Sequence, residues 1–471
     1  MKKNIFLISA LFIIASCALV EKPAEVISQK SSDIEKELVA DAALELRQNI
    51  YGTSSVKSLD AVTLTLHRID VTVKSSEESV PYVVNYPDNE GYAIMLVEGE
   101  DVIPLFMGDI GSFDPQILQD ALNGAGAVSS TSSFAPFPGE TAPDEDEEDF
   151  DPEDALHGDE SIEPYPMDIL PYDYNEPIGG AQTPPGYNND LPFVDYIVDY
   201  VHNGGNGNRL DTAETDIPGT IPNPPTPCPD SLKGKWLQMW GVAPLLKTAW
   251  RQSEPYNQCC PEIDGENALA GCVPVAVSQI GAYLAPPGKP WDWELMTGTG
   301  NDAEREAAEF IAFAGDKVNA DYGLLSTSAT NYQAKRFLKN EIGCDYVSRR
   351  KCKDFSKFYE RVTGRLKYHL PVYLSGYNSN GEGHAYIIDG YVEQKKYIGD
   401  YAMERRSLFH VNWGWGDIYN GWCLVELLDF RTSRKDYTSD DIGTPKQSGS
   451  GESIYDGAME TMTYAIPDWM Q

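Results

Sequence analysis

The sequence predicts an α+β protein, and three observations carry that reading. In the C-terminal half, helical periodicities come first and strand-like runs follow. Near the N-terminus, one amphipathic stretch precedes several alternating runs. Hydrophobic residues make up 41% of the 471 residues and aromatics 11%, enough to fill cores and to exclude wholesale disorder. At roughly 100–200 residues per domain, the length suggests two or three domains.

The elements follow in order. Residues 34–50 set Leu38, Ala42, Leu44 and Leu46 among charges, which predicts an amphipathic helix. Val62–Val73 alternates around Leu64, Leu66 and Ile69. Pro81–Tyr86 and Gly91–Val97 read as strands separated by a Pro-Asp-Asn-Glu-Gly turn, and Asp101–Met107 as another strand. These form a small α+β unit over 34–122, preceded by a polar tether at 17–33. Residues 123–235 are rich in Gly, Pro, Ser and Asn, with an acidic core at Asp144–Asp149, which predicts a disordered linker. Within it, Leu191–Val201 reads as a short helix and Ile217–Pro227 as an extended, protease-accessible connector.

The main globular domain is placed at 236–471. Cys272–Leu284 reads as a buried helix with Pro274 in its first turn, where the missing N–H costs little. Asp302–Phe313, Asn331–Asn340 and Phe355–Lys367 also read as helices. Pro371–Leu374, His384–Tyr391, Leu408–Asn412 and Trp422–Leu427 read as strands.

Charge is unevenly distributed. The chain carries 36 Lys+Arg against 73 Asp+Glu, a net of −37. Residues 75–208 hold 29 acidic residues and no Lys or Arg. Residues 236–471 hold 24 basic and 31 acidic residues, a net of only −7. Nucleic acid is a poor partner for such a chain, because phosphate backbones recruit clustered Lys and Arg. The acid run lacks the Gly-punctuated ligand spacing of a calcium loop and reads as a solvated spacer.

Lys2 and Lys3 precede the apolar run Ile5–Ile14, which is too short for a settled transmembrane helix and reads as an export signal. The run ends in Ile14-Ala15-Ser16-Cys17, which resembles a bacterial lipobox. That resemblance implies cleavage after residue 16 and lipidation of Cys17. The chain would then be an envelope lipoprotein, at the outer membrane or cell surface, tethered to the membrane by its lipid. An exported chain can form disulfides. Cys344 with Cys352, or Cys228 with Cys259 or Cys260, are candidates, and fifteen full pairings of the six cysteines apart from Cys17 and Cys272 stay open. No His neighbours them at zinc-site spacing, so no metal or other cofactor is expected.

Cys272 opens its predicted helix. A thiol there feels the partial positive charge of unpaired N–H groups, which favours thiolate, and a thiolate beside a His is an activated acyl-transfer nucleophile. A single cysteine is more often structural, so its context decides. Among the histidines, His67, His157 and His202 lie before the main domain. His369 falls at a helix–strand junction, and His410 alternates with bulky strand residues as a core histidine would. His384 enters an apolar strand from the glycine-rich turn Asn380-Gly381-Glu382-Gly383, where small neighbours let a substrate approach. It is the best candidate base.

The ordered set is more specific than any member. Leu245–Gln252 precedes Pro255-Tyr256-Asn257; then come Gly271-Cys272-Val273, Gly383–Tyr391 and His410-Val411-Asn412-Trp413-Gly414-Trp415-Gly416. Across Leu245–Leu427 this resembles the streptopain family of papain-like bacterial cysteine peptidases. The resemblance implies a papain-like fold, with Cys272 as nucleophile and His384 as general base, then acid. It further implies Gln252 as oxyanion donor, Asn412 as polar partner, Trp413 as shield of the imidazole, and Gly383 lining the substrate cleft. Tyr322–Ala329 resembles the family's cleft loop, with Leu324-Leu325 departing from its usual glycines. Asn85, Gly91–Ile94 and Gly111–Asp114 resemble the family's inhibitor-like prodomain. A zymogen is implied, acting on protein or peptide substrates and held latent by its own prodomain. The rival expectation is a catalytically inactive surface lipoprotein that binds or inhibits.

Overall fold

The computed structural model describes residues 24–52, 63–71, 79–99, 101–123, 192–203, 230–352, 354–377, 383–397, 403–428, 457–465 and 467–470. The expected export signal with Cys17, the acidic stretch 124–191 and the segment 204–229 lie outside the described residues.

Helix α1 (Ala24–Tyr51) begins ten residues before the predicted start, within the expected tether. Its buried stripe is Val39, Ala43 and Leu46, spaced four and three apart, whereas Leu38 is exposed. Strands β1 (Thr65–Arg68), β2 (Ser79–Asn85), β3 (Tyr92–Glu98) and β4 (Asp101–Gly108) form an antiparallel meander. Among the described residues, the run predicted over 62–73 yields the short β1. Helix α2 (Pro115–Leu122) follows, unpredicted although its signal is legible: Asp114 caps the Gln116 N–H at 2.9 Å and Pro115 occupies the first turn. Helix α3 (Pro192–Asn203) matches the expected short helix. It is firmly seated: Phe193 stacks on Phe106 with centroids 4.3 Å apart.

The C-terminal part opens with β5 (Trp236–Val242) and a small hairpin of β6 (Glu262–Ile263) and β7 (Glu266–Asn267). Helices α4 (Cys272–Leu284), α5 (Trp293–Met296), α6 (Asn301–Lys317) and α7 (Asn331–Phe337) come next. Strand β8 (Ser348–Lys351), helix α8 (Phe355–Lys367), and strands β9 (Val372–Tyr377), β10 (Gly383–Tyr397), β11 (Met403–Asn412), β12 (Gly421–Leu424) and β13 (Gly457–Thr463) complete it. Helix α4 is almost wholly buried, as its apolar composition requires. Strands β8 and β13 carry no clear alternation, and they exist because they pair with each other and, for β13, with β9.

The protein is α+β, as expected, but its two units share one sheet. The order is β1-β2-β3-β4-β12-β11-β10-β9-β13-β8, with β5 also paired to β10. The junction is β4 against β12, with Trp422 opposite Met107 and Cys423 opposite Phe106. The cores follow the same plan. One cluster packs Tyr92, Phe106 and Phe113 with Phe409, Trp413 and Leu424, so N- and C-terminal residues share it. A second cluster beneath α4, α6 and α7 belongs to the C-terminal part alone.

The expected disulfides do not form among the described residues. Cys259, Cys260, Cys272, Cys344, Cys352 and Cys423 are all free thiols, so the Cys344–Cys352 bridge is corrected; Cys228 lies outside the described residues. No described helix is long and apolar enough to cross a membrane.

Candidate active site

Cys272 is the first residue of α4, so its thiol sits at the helix N-terminus. Gly271 before it adopts φ 90° and ψ 144°, which L side chains rarely reach. A Cβ there would also lie 2.8 Å from Thr327 Cγ2. Thr327 belongs to the expected cleft loop, and its hydroxyl donates to the Leu269 carbonyl at 2.6 Å. The loop therefore packs under the turn that presents Cys272. The backbone N–H groups of Cys272, Val273 and Ala385 point at the sulfur and favour the thiolate. Burial outweighs them and pushes the thiol above its ordinary pKa.

Ala385 follows His384 on β10, so the sulfur meets this strand one residue beyond the candidate base. The His384 imidazole is buried, with Nε2 3.0 Å from the Trp413 carbonyl oxygen. A carbonyl only accepts, so Nε2 carries the proton and Nδ1 keeps the lone pair in the neutral ring. Burial lowers the imidazole pKa to about 4 despite the Trp413 bond.

The two tryptophans meet His384 in different ways. The ring beside His384 is Trp415, with centroids 4.9 Å apart. The Trp413 ring is fully buried against Tyr386, 4.7 Å away, and Trp413 reaches His384 through its main-chain carbonyl instead. A sequence motif with two Trp residues does not reveal which ring the backbone turns toward the histidine.

Asn412 is buried and hydrogen-bonds to the scaffold. Its Nδ2 donates to the Thr248 carbonyl at 2.8 Å, and its Oδ1 accepts from the Gly414 N–H at 3.1 Å. It also faces the Gln279 amide across two 3.2 Å bonds. Gln252 is half-buried, and its carbonyl accepts from the Ala270 N–H at 2.8 Å, two residues before the nucleophile. Its neighbour Arg251 pairs with Trp415 across a single bridge. Gly383 opens β10 opposite Tyr377. Cys272, His384, Gln252, Asn412 and the 413–415 turn thus converge where α4 meets the start of β10. Among the described residues, no group of His, Cys, Asp and Glu is arranged to hold a metal.

His410 is buried but is no ordinary core histidine. Its Nδ1 lies 2.6 Å from Asp389 and its Nε2 2.7 Å from Asp109 at the end of β4. The two carboxylates overcome burial and raise its pKa to about 10. His410 lies 21 residues downstream of Asp389 and 301 downstream of Asp109, so spacing could not have found these partners.

Residues 250–291 and 284–423 match the Peptidase C10 family. Streptopain of Streptococcus pyogenes is 27% identical over 227 residues, 38% of this chain and 54% of streptopain. The chain therefore matches about half the length of that relative. The thiol protease/hemagglutinin PrtT of Porphyromonas gingivalis is 23% identical over 230 residues, 40% of this chain and 25% of that protein. Among solved structures, a fragment of Prevotella intermedia prointerpain A aligns with TM-score 0.41 at 14% identity, covering 85% of this chain and 98% of that one. Active interpain A aligns with TM-score 0.35 at 21% identity, covering 50% and 97%. Residues 250–423, which hold Cys272 at the head of a buried helix and His384 at the start of the facing strand, are thus similar to the Peptidase C10 family and to streptopain.

Proposed function

We propose that the protein is a cysteine endopeptidase made as a zymogen. The observation that carries this is the seat of Cys272. A helix N-terminus and three backbone N–H groups converge on a sulfur that abuts the strand of His384. In the reaction, His384 Nδ1 takes the thiol proton and the sulfur attacks the peptide carbonyl. The Gln252 amide and the Cys272 N–H hold the oxyanion, and His384 then protonates the leaving amine. Water activated by the same imidazole cleaves the thioester and frees Cys272. Trp413 and Trp415 orient the ring, and Asn412 supports their turn.

The N-terminal unit acts as the inhibitory prodomain, and a cut in the acidic connector releases latency. The lipid on Cys17 would hold that unit at the envelope, at the outer membrane or cell surface. The cut then frees the enzyme from the anchor only if the two units separate.

The test compares wild type with Cys272→Ala on casein, with a thiol-directed epoxide as label. Hydrolysis and labelling are expected in wild type only. Equal hydrolysis by both chains rules out the mechanism. Mass spectrometry of the active fraction should show a chain cut N-terminal to Asp230; an intact chain there rules out processing. Palmitate labelling lost in Cys17→Ala checks the anchor.

A further inference from the structure

We propose that Gln279 is a positioning residue that sets the Gln252 segment and the His384-orienting turn against the nucleophile helix. The inference rests on the peptidase reading and adds a residue that touches no reacting atom.

Gln279 is fully buried on α4, seven residues after Cys272. Two helical turns bring it back to the face of Cys272, about 10 Å along the axis. Nothing about a helix demands a buried amide there, and burial without partners would be costly. Its bonds explain it. Oε1 accepts from the Trp250 N–H at 3.1 Å, two residues before Gln252. Oε1 and Nε2 also pair with the Asn412 amide, each at 3.2 Å. Asn412 in turn holds Thr248 O and the Gly414 N–H, on either side of the site. Residue 413, next in sequence, supplies the carbonyl that orients His384.

One side chain therefore fastens three separate segments. It rides on the helix of Cys272, holds the approach to Gln252, and holds the residue before Trp413. Both helpers of the thiol are registered to that helix through a single amide. An amide does this at any pH: it supplies an acceptor for Trp250 and a donor for Asn412 at once. A misplacement of about 1 Å in such a site costs about 100-fold.

The full-length chain is compared with Gln279→Met, which keeps length and apolar volume but loses both bonds. In the matured enzymes, kcat on a fluorogenic peptide is expected to fall about 10- to 100-fold, with KM within about threefold. Alkylation of Cys272 by iodoacetamide should fall less than kcat, because it draws on proton transfer to His384 but not on the oxyanion donors. Unchanged kcat overturns the proposal, and so does an equal fall in kcat and alkylation, which would mean general collapse. Amide exchange gives a readout independent of activity. Trp250 and Gly414 should lose protection at least about tenfold while the α4 interior keeps its own; uniform change or none overturns the proposal.

Gln279→Glu covers the case in which the Met variant fails to fold. Its neutral acid restores donor and acceptor, whereas its carboxylate only accepts. The partners at this position, the Trp250 N–H and the Asn412 amide, are uncharged. Its kcat relative to wild type should rise as pH falls from 8 to 5, and a flat ratio overturns the proposal. If wild type neither cleaves nor takes the epoxide while Trp250 exchange responds, the peptidase reading fails and the fastening role stands.

Discussion

Burial shifts the protonation of both Cys272 and His384 toward the neutral form. It raises the Cys272 thiol and lowers the His384 imidazole to about 4, so each is neutral near pH 7. An imidazolium–thiolate pair needs the opposite shifts, so burial favours an uncharged resting state. In the full-length chain, Cys272 alkylation by iodoacetamide should climb with pH up to and beyond 9, with no plateau between 5 and 7. A plateau there, in the uncut chain, would mean the ion pair already exists. After processing, that plateau should appear. Gly271 gives a second residue-scale test. An Ala there meets both a positive φ and Thr327, so Gly271→Ala should lower kcat/KM at least about tenfold while the rest of the fold persists. Near-normal kinetics would show that the turn can relax. The positions of Cys272 and His384 were legible because both stand in local patterns with physical meaning: a helix start and the entry to a strand. The choice between Trp413 and Trp415 was not, because it depends on how the backbone twists after Asn412.

Elements were legible in proportion to how locally they are determined. Helices α4 and α8 fall where their periodicity placed them, and α8 carries its own cap, Asp354 to the Lys357 N–H at 3.0 Å. Strands β2, β3 and β4 announced themselves by alternation and a turn. Strand β8, Ser-Arg-Arg-Lys, could not: a charged run becomes a strand only because Glu460 on β13 lies opposite and takes Arg349 at 3.0 Å. The β4–β12 junction was equally hidden, since neither strand's pattern names its partner. It rests on close backbone approach at Gly421, where a Cβ would lie 2.3 Å from the Met107 carbonyl oxygen. Gly421→Val should therefore wedge the two strands apart. Limited proteolysis should then remove the 24–123 unit at lower protease concentration than in wild type. An unchanged digestion series would show that the shared core, not the strand pairing, holds the units together.

At the scale of the whole molecule, the units are joined by a sheet, a mixed core and one buried charge cluster. That cluster is His410 between Asp389 of its own unit and Asp109 of the other, with Tyr51 of α1 donating to Asp109 at 2.6 Å. The T-shaped Trp422 ring, 5.3 Å away, closes the remaining side without charge. Such a cluster links stability to pH. The folded chain holds His410 protonated up to about pH 10, against about 6.5 for an ordinary histidine. A raised pKa contributes stability that is complete below about pH 6.5 and is lost as pH rises through about 10. Asp109→Asn keeps the shape and removes one of the two charges that hold the proton. The wild type should therefore melt several degrees higher than Asp109→Asn at pH 6, and the gap should shrink steadily toward pH 10. A gap of constant size across that range would show that Asp109 acts through its hydrogen bonds alone. In a chain already cut in the connector, the same substitution should loosen the N-terminal unit, read as earlier elution of that fragment from the enzyme in a salt gradient at pH 7. If cut wild type and cut Asp109→Asn separate at the same salt, the cluster stabilises the C-terminal unit without governing whether the prodomain leaves it.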